Sequence, residues 1–208
     1  MTNDKQKIEI EQLKKDVFSD DLELLKSSAD RLGQIGGDEV LDFLISLIEL
    51  DNPDIRNRAA LALEDIKDNR ALEPLLIAIF KKENHNYNGT MVFALESLDC
   101  RHKFKEIFKI LFFETYESKI SVYAILSDQI FDFTEEDLFE INQMWEDCKL
   151  NPEKCPGYDD DETREMIQDA VDGFMCYLEQ YTKNAEINNK AKSYEKGTFN
   201  SNAEFYCN

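Results

Sequence analysis

The feature that most constrains the fold is a pair of short amphipathic segments in residues 52–80, NPDIRNRAALALEDIKDNRALEPLLIAIF. Asn52 can cap a helix that begins at Pro53, where a missing backbone N–H has no cost. Apolar residues then recur at three- and four-residue spacing on both sides of a polar break at 68–69. The pattern predicts two helices folded into a hairpin, which needs similar neighbours because so short a pair cannot bury both apolar stripes alone.

Those neighbours are present as shifted copies of the same apolar pattern. A shift of 31 positions aligns Ala29 with Ala60, together with six further apolar pairs. A shift of 32 positions aligns Leu63 with Leu95 and five later pairs. The helical hairpin therefore repeats at least three times, from about residue 20 to residue 113.

The repeat predicts an all-α fold, a right-handed α-solenoid of about four helical hairpins plus terminal helices. We assign residues 1–182 to one solenoid domain, with the clearest repeats at 20–113 and degenerate repeats at 118–182. Residues 183–208 are rich in asparagine and lysine and have little helical pattern, so we assign them to a polar C-terminal tail.

Three further predictions concern the degenerate repeats. The last helix is predicted from Asp159 to about Tyr181. Thr134, followed by three acidic residues, is a strong helix start, because it combines a capping hydroxyl with negative charge at the positive end of the helix dipole. The helix before it, the first of a fourth hairpin from Ser118 to about Cys148, is predicted to contain Ile120, Tyr123, Ala124 and Ile130.

The repeat resembles the short HEAT-like repeats of phycobilin lyase subunits and of many bacterial interaction proteins. The resemblance is good over residues 30–80, weaker to residue 113, and beyond that only helical periodicity remains. It implies an α-solenoid that binds macromolecules, with Arg56 as a brace between adjacent repeats, and it implies no particular chemistry. The residues that carry it are NPDIR at 52–56, AALAL at 59–63 and ALEPLL at 71–76.

Sequence motifs give no support for catalysis. The chain has no phosphate-binding glycine loop, nucleophile elbow or catalytic triad, so we predict no enzymatic activity and no cofactor. The five cysteines form no close CxxC pair, which predicts reduced, mostly buried thiols and no metal site. We interpret His85 and His102 as ordinary loop or surface residues, because no motif places a carboxylate or nucleophile beside them.

Composition favours a cytoplasmic protein that is monomeric when free. Charged residues make up 33% of the chain and hydrophobic residues 42%, which is typical of a soluble helical protein. No apolar run approaches the ~20 residues that a membrane span needs. The N-terminus lacks the apolar core of a secretory signal.

The formal net charge is −20, from 44 acidic and 24 basic residues. A field of that sign repels nucleic acid and anionic membranes, whose binding proteins need basic faces, so we expect neither as a partner. It attracts a basic protein. The alternative interpretation is that an acidic balance only keeps the solenoid in solution.

The densest acidic stretch is 132–162, whose twelve acidic residues and two lysines give a net charge of −10. Some of these acids are typical of helix starts and solvated surface. A calcium loop at 159–161 is disfavoured, because the glycine and glutamate expected at loop positions six and twelve are missing. The third interpretation is a docking surface for a basic protein, with an aromatic anchor among the acids. The predicted partner-binding residues are Asp132, Glu135, Glu136, Glu140, Trp145, Glu146, Asp147, Tyr158, Asp159, Asp160 and Asp161.

Together these observations predict a non-enzymatic protein-binding module, most concretely an immunity protein that neutralises a basic nuclease toxin through an acidic face. A nuclease must be basic to hold phosphates, and an acidic solenoid can occupy its cleft. Two alternatives stay open. One is a general cytoplasmic scaffold, and the other, which the resemblance implies, is a phycobilin-lyase-like subunit that handles a tetrapyrrole on a partner protein.

Overall fold

The computed structural model describes residues 3–195, and side chains within 4–178. This part of the chain forms ten α-helices and no strand, which confirms the predicted all-α fold. The helices are α1 (Asn3–Asp16), α2 (Leu22–Ile35), α3 (Asp38–Leu47), α4 (Pro53–Ile66), α5 (Leu72–Ile79), α6 (Gly89–Ala94), α7 (Phe104–Phe113), α8 (Tyr116–Asp128), α9 (Glu135–Leu150) and α10 (Asp161–Glu195).

The helices lie in two layers that follow the repeat. Helices α2, α4, α6, α8 and α10 pack side by side in a first layer, and α3, α5, α7 and α9 form the second. Each second-layer helix packs mainly on the first-layer helix that follows it in the chain, α3 on α4, α5 on α6, α7 on α8 and α9 on α10. Helix α1 covers α2 at the open end. This paired packing is that of a helical-hairpin solenoid.

The predicted helix boundaries of the organising hairpin are present. The Asn52 side chain accepts hydrogen bonds from the backbone N–H groups of Asp54 and Ile55, and Pro53 is the first residue of α4. The turn between α2 and α3 is made by Gly36 and Gly37, whose φ angles of 61° and 87° lie in the region that glycine adopts without strain. Local chemistry therefore starts α4 where the sequence predicts and lets the chain turn between α2 and α3.

Lys119 of α8 is fully buried and caps the C-terminal end of α7. Its Nζ donates hydrogen bonds to the carbonyl oxygens of Leu111 and Phe112, at 2.6 and 3.0 Å. Carbonyl groups in the last turn of a helix have no partner within that helix, and a cation there also interacts favourably with the helix dipole. Lys119 thus fixes the corner between α7 and α8.

A buried polar network joins the loop before α6 to that same corner. Asn88 donates through Nδ2 to Glu114 Oε2 at 2.8 Å and accepts through Oδ1 from the Ser118 hydroxyl at 2.9 Å. Asn84 is also buried and donates to the carbonyl of Ala78. Because buried polar groups are costly without partners, this network holds the loop in one position.

Helix α8 differs from the prediction in its end, because it stops at Asp128 and does not contain Ile130. Ile120 and Ile130 are exposed, whereas Val122, Ile125 and Leu126 face inward. The inward positions in the first turns of the helix are Ser118, Lys119 and Ser121. Apolar periodicity alone does not reveal this buried face, because polar residues occupy part of it.

The end of α10 also differs from the prediction, since the helix continues past Tyr181 to Glu195. No glycine or proline occurs between residues 174 and 195, and asparagine lowers helix propensity without ending a helix. The assigned tail at 183–208 therefore begins inside α10, and its part from 196 onward lies outside the described residues. Within the described residues, no helix combines the length and the apolarity needed to cross a membrane.

The closest approach in the first layer is at Gly33 of α2. A Cβ atom on Gly33 would lie 3.1 Å from the Cα and carbonyl oxygen of Ala62 in α4. Small residues at this crossing let the two helix backbones meet.

We expect Gly33→Ala to lower the free energy of unfolding by roughly 1–3 kcal/mol, because the methyl group overpacks the crossing. This loss exceeds the gain of about 1 kcal/mol in helix propensity that alanine brings. Gly173→Ala in α10 is the matched control, since a Cβ there meets nothing within 4 Å, and we expect it to be stabilising. Urea unfolding followed by helical circular dichroism measures both. A stabilised Gly33→Ala variant would contradict the close crossing.

Candidate partner-binding surface

The acidic residues of 132–162 lie in two groups at opposite ends of one helical hairpin. Trp145 contacts Gln168, and Phe133 contacts Tyr177, so α9 and α10 run antiparallel. The acids at 132–140 are therefore at the start of α9, and those at 146–161 are at its end and at the start of α10. Helix α9 has 16 residues, so its two ends are roughly 22 Å apart. The two groups are centred on these ends and approach each other at Glu140 and Asp147, which line one shallow pocket on the side of α9.

The first acidic group surrounds the start of α9. Glu135 and Glu136 are exposed in the first turn. Thr134 and Asp137 form the predicted capping box, in which each side chain accepts a hydrogen bond from the other's backbone N–H. Glu140 contacts Lys105 at 3.3 Å, and Asp132 contacts His102 at 3.1 Å. Part of the negative charge is thus neutralised locally.

The second acidic group is more strongly paired. Glu146 contacts Lys149 at 2.8 Å, Asp147 contacts Lys154 at 2.9 Å, and Asp161 contacts Arg164. The hydrogen bond from Lys154 lowers the pKa of the Asp147 carboxyl. Asp160 accepts hydrogen bonds from the Thr163 hydroxyl and backbone N–H at the start of α10, and Asp159 is exposed. Most of these acids have structural partners.

The predicted aromatic anchor is not on the surface. The Trp145 side chain is 1% exposed, stacks on Phe112 with ring centroids 6.0 Å apart, and donates its indole N–H to Gln168. Tyr158 is half-buried against Trp145, with Arg164 over its ring. Trp145 therefore belongs to the core, because the helical spacing that put it near the acids also points it inward.

An open cavity of about 500 Å³ lies between α8 and α10, beside the first acidic group. Its wall is largely aromatic and rests on the core through Phe174, whose ring packs on Phe104 at 5.0 Å and on Phe133 at 5.7 Å. Ile130, which is 74% exposed, lies at its edge. The lining side chains are Tyr123, Leu126, Ser127, Gln129, Ile130, Phe131, Phe133, Asp169, Ala170, Phe174 and Tyr177, with Gly173 between them.

Polar groups in the cavity have defined positions. Tyr123 donates its hydroxyl hydrogen to Asp169 Oδ2 at 2.5 Å, and this bond raises the pKa of Tyr123. The Gln129 amide is oriented by the backbone of the preceding hairpin, to which it bonds at Leu98 and Cys100. Few, oriented polar groups on an apolar wall are typical of binding sites.

The segments that line this cavity are strongly acidic. Residues 123–137 and 165–177 contain eight acidic residues and no lysine or arginine. They include Asp128, Asp132, Asp169 and Asp172. We call the cavity together with these four residues the acidic aromatic cavity. The sequence does not predict this cavity, because its aromatic residues have the helical spacing of core residues and because polar residues hide which face of α8 is buried.

The two histidines each have a carboxylate neighbour that the sequence did not predict. His85 Nδ1 lies 3.0 Å from Glu114 Oε2, and His102 pairs with Asp132. The Glu114 oxygen is also bound by Asn88, so the pair belongs to the buried network of the α7–α8 corner. Within the described residues, no group of three or more His, Cys, Asp or Glu side chains is arranged to hold a metal ion.

Residues 10–111 match a family model described as HEAT repeats. That part of the chain, slightly less than half of it, is therefore similar to HEAT repeats. The matched description names a repeat and no ligand, so it assigns neither a lyase nor an immunity role. HEAT repeats are commonly protein-binding scaffolds, and α8 to α10 continue the stack beyond the matched region.

The comparison with solved structures includes a crystal structure of an engineered protein from a structural genomics consortium. It is 16% identical, with a TM-score of 0.38, and the match covers 65% of this chain and 41% of that one. The chain thus spans about two fifths of that protein's length, and a likeness at this level carries no argument. Among curated proteins, none matches the chain.

The capping role of Asp160 predicts a pH dependence of stability. Its hydrogen bonds from the Thr163 hydroxyl and backbone N–H hold the pKa of the Asp160 carboxyl below its usual value of 3.8. Because the folded-state pKa is the lower one, the stabilisation is present above about pH 4 and is lost as the pH falls through the folded value.

We expect Asp160→Ala to lower Tm at neutral pH and to make the fall of Tm in acid shallower, because the cap no longer titrates. Asp160→Asn is the control, since it keeps an acceptor oxygen without a titrating charge and should lose less at neutral pH. Thermal unfolding at a series of pH values measures both. An unchanged acid limb in both variants would exclude this role.

Proposed function

We propose that the chain is a non-catalytic protein-binding module that takes a basic partner protein at the acidic aromatic cavity. The observation that carries this proposal is the combination of an aromatic cavity of about 500 Å³ with lining segments that contain eight acidic residues and no lysine or arginine. HEAT-repeat scaffolds commonly bind proteins, and a cavity of this kind accepts an apolar side chain of the partner.

The charge and the cavity would have different roles in binding. Exposed carboxylates such as Glu135, Glu136 and Asp172 would steer a basic partner and raise its association rate. The aromatic wall would hold an apolar anchor residue and determine the dissociation rate. This division replaces the earlier interpretation in which Trp145 itself was the anchor.

The most concrete form of this proposal is an immunity protein that neutralises a nuclease toxin. Nuclease surfaces that hold phosphates are basic, and a protein with a net charge of −20 is complementary to them. A general scaffold would use the same surface with lower affinity.

The direct test is binding to the protein encoded by the adjacent gene, measured by calorimetry at low and at high salt. We expect a complex at low salt that weakens as salt rises, because exposed charges are screened. Complex formation should also suppress the partner's nuclease activity. If the adjacent product forms no complex at low salt, the immunity proposal is wrong.

Two pairs of variants locate the surface. We expect Glu135→Lys with Glu136→Lys to weaken binding by roughly tenfold or more, whereas Asp159→Lys with Glu162→Lys, the same charge change at the start of α10, should have a smaller effect. Gly173→Leu fills the cavity and should also weaken binding, whereas Gly173→Ala should not. Equal losses from both charge pairs, with no loss from Gly173→Leu, would exclude the cavity as the site.

A further inference from the structure

Two cysteines and a lysine are buried together at the other end of the α9–α10 hairpin. Cys148 is in the last turns of α9, Cys155 is in the connection between α9 and α10, and both thiols are almost completely buried. Asp147 and Lys154, the residues next to the two cysteines, are joined by a hydrogen bond of 2.9 Å that folds the connection back onto the end of α9. The Cys148 and Cys155 side chains are neighbours there and interact with each other. The fully buried ammonium group of Lys119 is close enough to both sulfur atoms to interact with them electrostatically.

The environment of Lys119 leaves its charge without a carboxylate partner. Its ammonium group donates hydrogen bonds to the carbonyl oxygens of Leu111 and Phe112, and among the described side chains no carboxylate lies within salt-bridge distance of Nζ. Burial lowers the pKa of Lys119, and the neighbouring Cys155, Cys148 and Glu114 act in the opposite direction. A buried cation of this kind favours an anion beside it.

Cys155 is the group that can supply that anion. The hydrogen bond from Cys148 and the charge of Lys119 both lower the pKa of the Cys155 thiol, against the effect of burial. The same hydrogen bond raises the pKa of Cys148. Cys155 as thiolate and Cys148 as thiol are the two partners needed for disulfide chemistry.

The other described cysteines lack this arrangement. Cys100 is buried, donates to the carbonyl of Leu95, and has its pKa raised to about 12 by burial. Cys176 is exposed and donates to the carbonyl of Gly173. Cys100 is therefore a buried thiol without a thiol neighbour, and it reports whether any reaction needs unfolding.

We propose that Cys148 and Cys155 form a dithiol modification site, at which a hydroperoxide converts the two thiols into an intramolecular disulfide. The Cys155 thiolate attacks one oxygen of hydrogen peroxide, the O–O bond breaks, and hydroxide leaves to give a sulfenic acid at Cys155. The Cys148 sulfur then attacks the Cys155 sulfur, the S–O bond breaks, and hydroxide leaves with the Cys148 proton as water. The two thiols lose two electrons in total, and the peroxide is reduced to water.

The connection between α9 and α10 gives hydrogen peroxide access to the two thiols, and the nearby Trp145 gives a fluorescence signal of their reaction. Its residues Pro152, Glu153 and Lys154 are exposed, so local opening of this short segment admits a molecule as small as hydrogen peroxide. Trp145 lies one turn before Cys148 and packs on Tyr158, three residues after Cys155. Indole fluorescence therefore reports a change at the dithiol.

The test uses the full chain treated with hydrogen peroxide under native conditions, followed by alkylation of the remaining thiols in denaturant. We expect Cys148 and Cys155 to be protected from alkylation, while Cys100 remains a free thiol. Trypsin cleaves after Lys149 and Lys154 and so places the two cysteines on different peptides, which should be linked until reduction. Oxidation of Cys100 at the same rate as Cys148 and Cys155 would show that the reaction needs unfolding and would overturn the proposal.

Variants separate the roles of the three groups. Cys100→Ser should leave the linked peptides unchanged, and Cys155→Ser should abolish them. Cys148→Ser should leave a sulfenic acid at Cys155 that dimedone traps.

Lys119→Met should slow oxidation by roughly tenfold at neutral pH through loss of thiolate, if the variant folds. Independently of that variant, the oxidation rate of the unmodified protein should rise as the pH increases, and a flat profile would contradict the thiolate at Cys155.

Discussion

Every helix of this fold depends on burial against the neighbouring hairpin, because no hairpin is large enough to bury its own apolar stripes. The first layer meets this requirement by close contact of small residues, as at Gly33 of α2 and Ala62 of α4. Close backbones bring the larger side chains, such as Leu32 and Leu63, into a continuous core. Each hairpin is therefore positioned by its predecessor, and an error at one crossing would displace everything that follows.

Side-chain amides add a second connection between successive hairpins. Asn69 accepts from the backbone N–H of Asp99 at 2.7 Å and donates to its carbonyl, and Gln129 bonds in the same two-sided way to the backbone at Cys100 and Leu98. An amide that donates and accepts at once determines position along the chain as well as distance. Gln129 also lines the acidic aromatic cavity, so the geometry of the cavity follows from the stacking of the hairpin before it.

The sequence predicted the repeats and their helix ends, and it failed where polar residues are buried. Asn52, Pro53 and Thr134 act through local rules that a sequence displays directly. Lys119 and Asn88 are buried because they form hydrogen bonds with residues 7 to 30 positions away in the chain, and the periodicity of a helix does not reveal such partners. The sequence itself shows that acidic residues are concentrated at 132–162. Their division into two groups depends on the antiparallel course of α9 and α10, and the cavity depends on the face that α8 presents.

The two proposed sites lie at opposite ends of the α9–α10 hairpin, and this separation makes them physically independent. The acidic aromatic cavity is beside the start of α9, whereas Cys148 is near its end. The core between them is a chain of rings in which Phe174 packs on Phe108, Phe108 on Phe112, and Phe112 on Trp145. Close-packed rings do not rearrange for a local change in a surface connection. Oxidation of the dithiol should therefore leave the cavity intact, and a partner bound in the cavity should leave both thiols reactive.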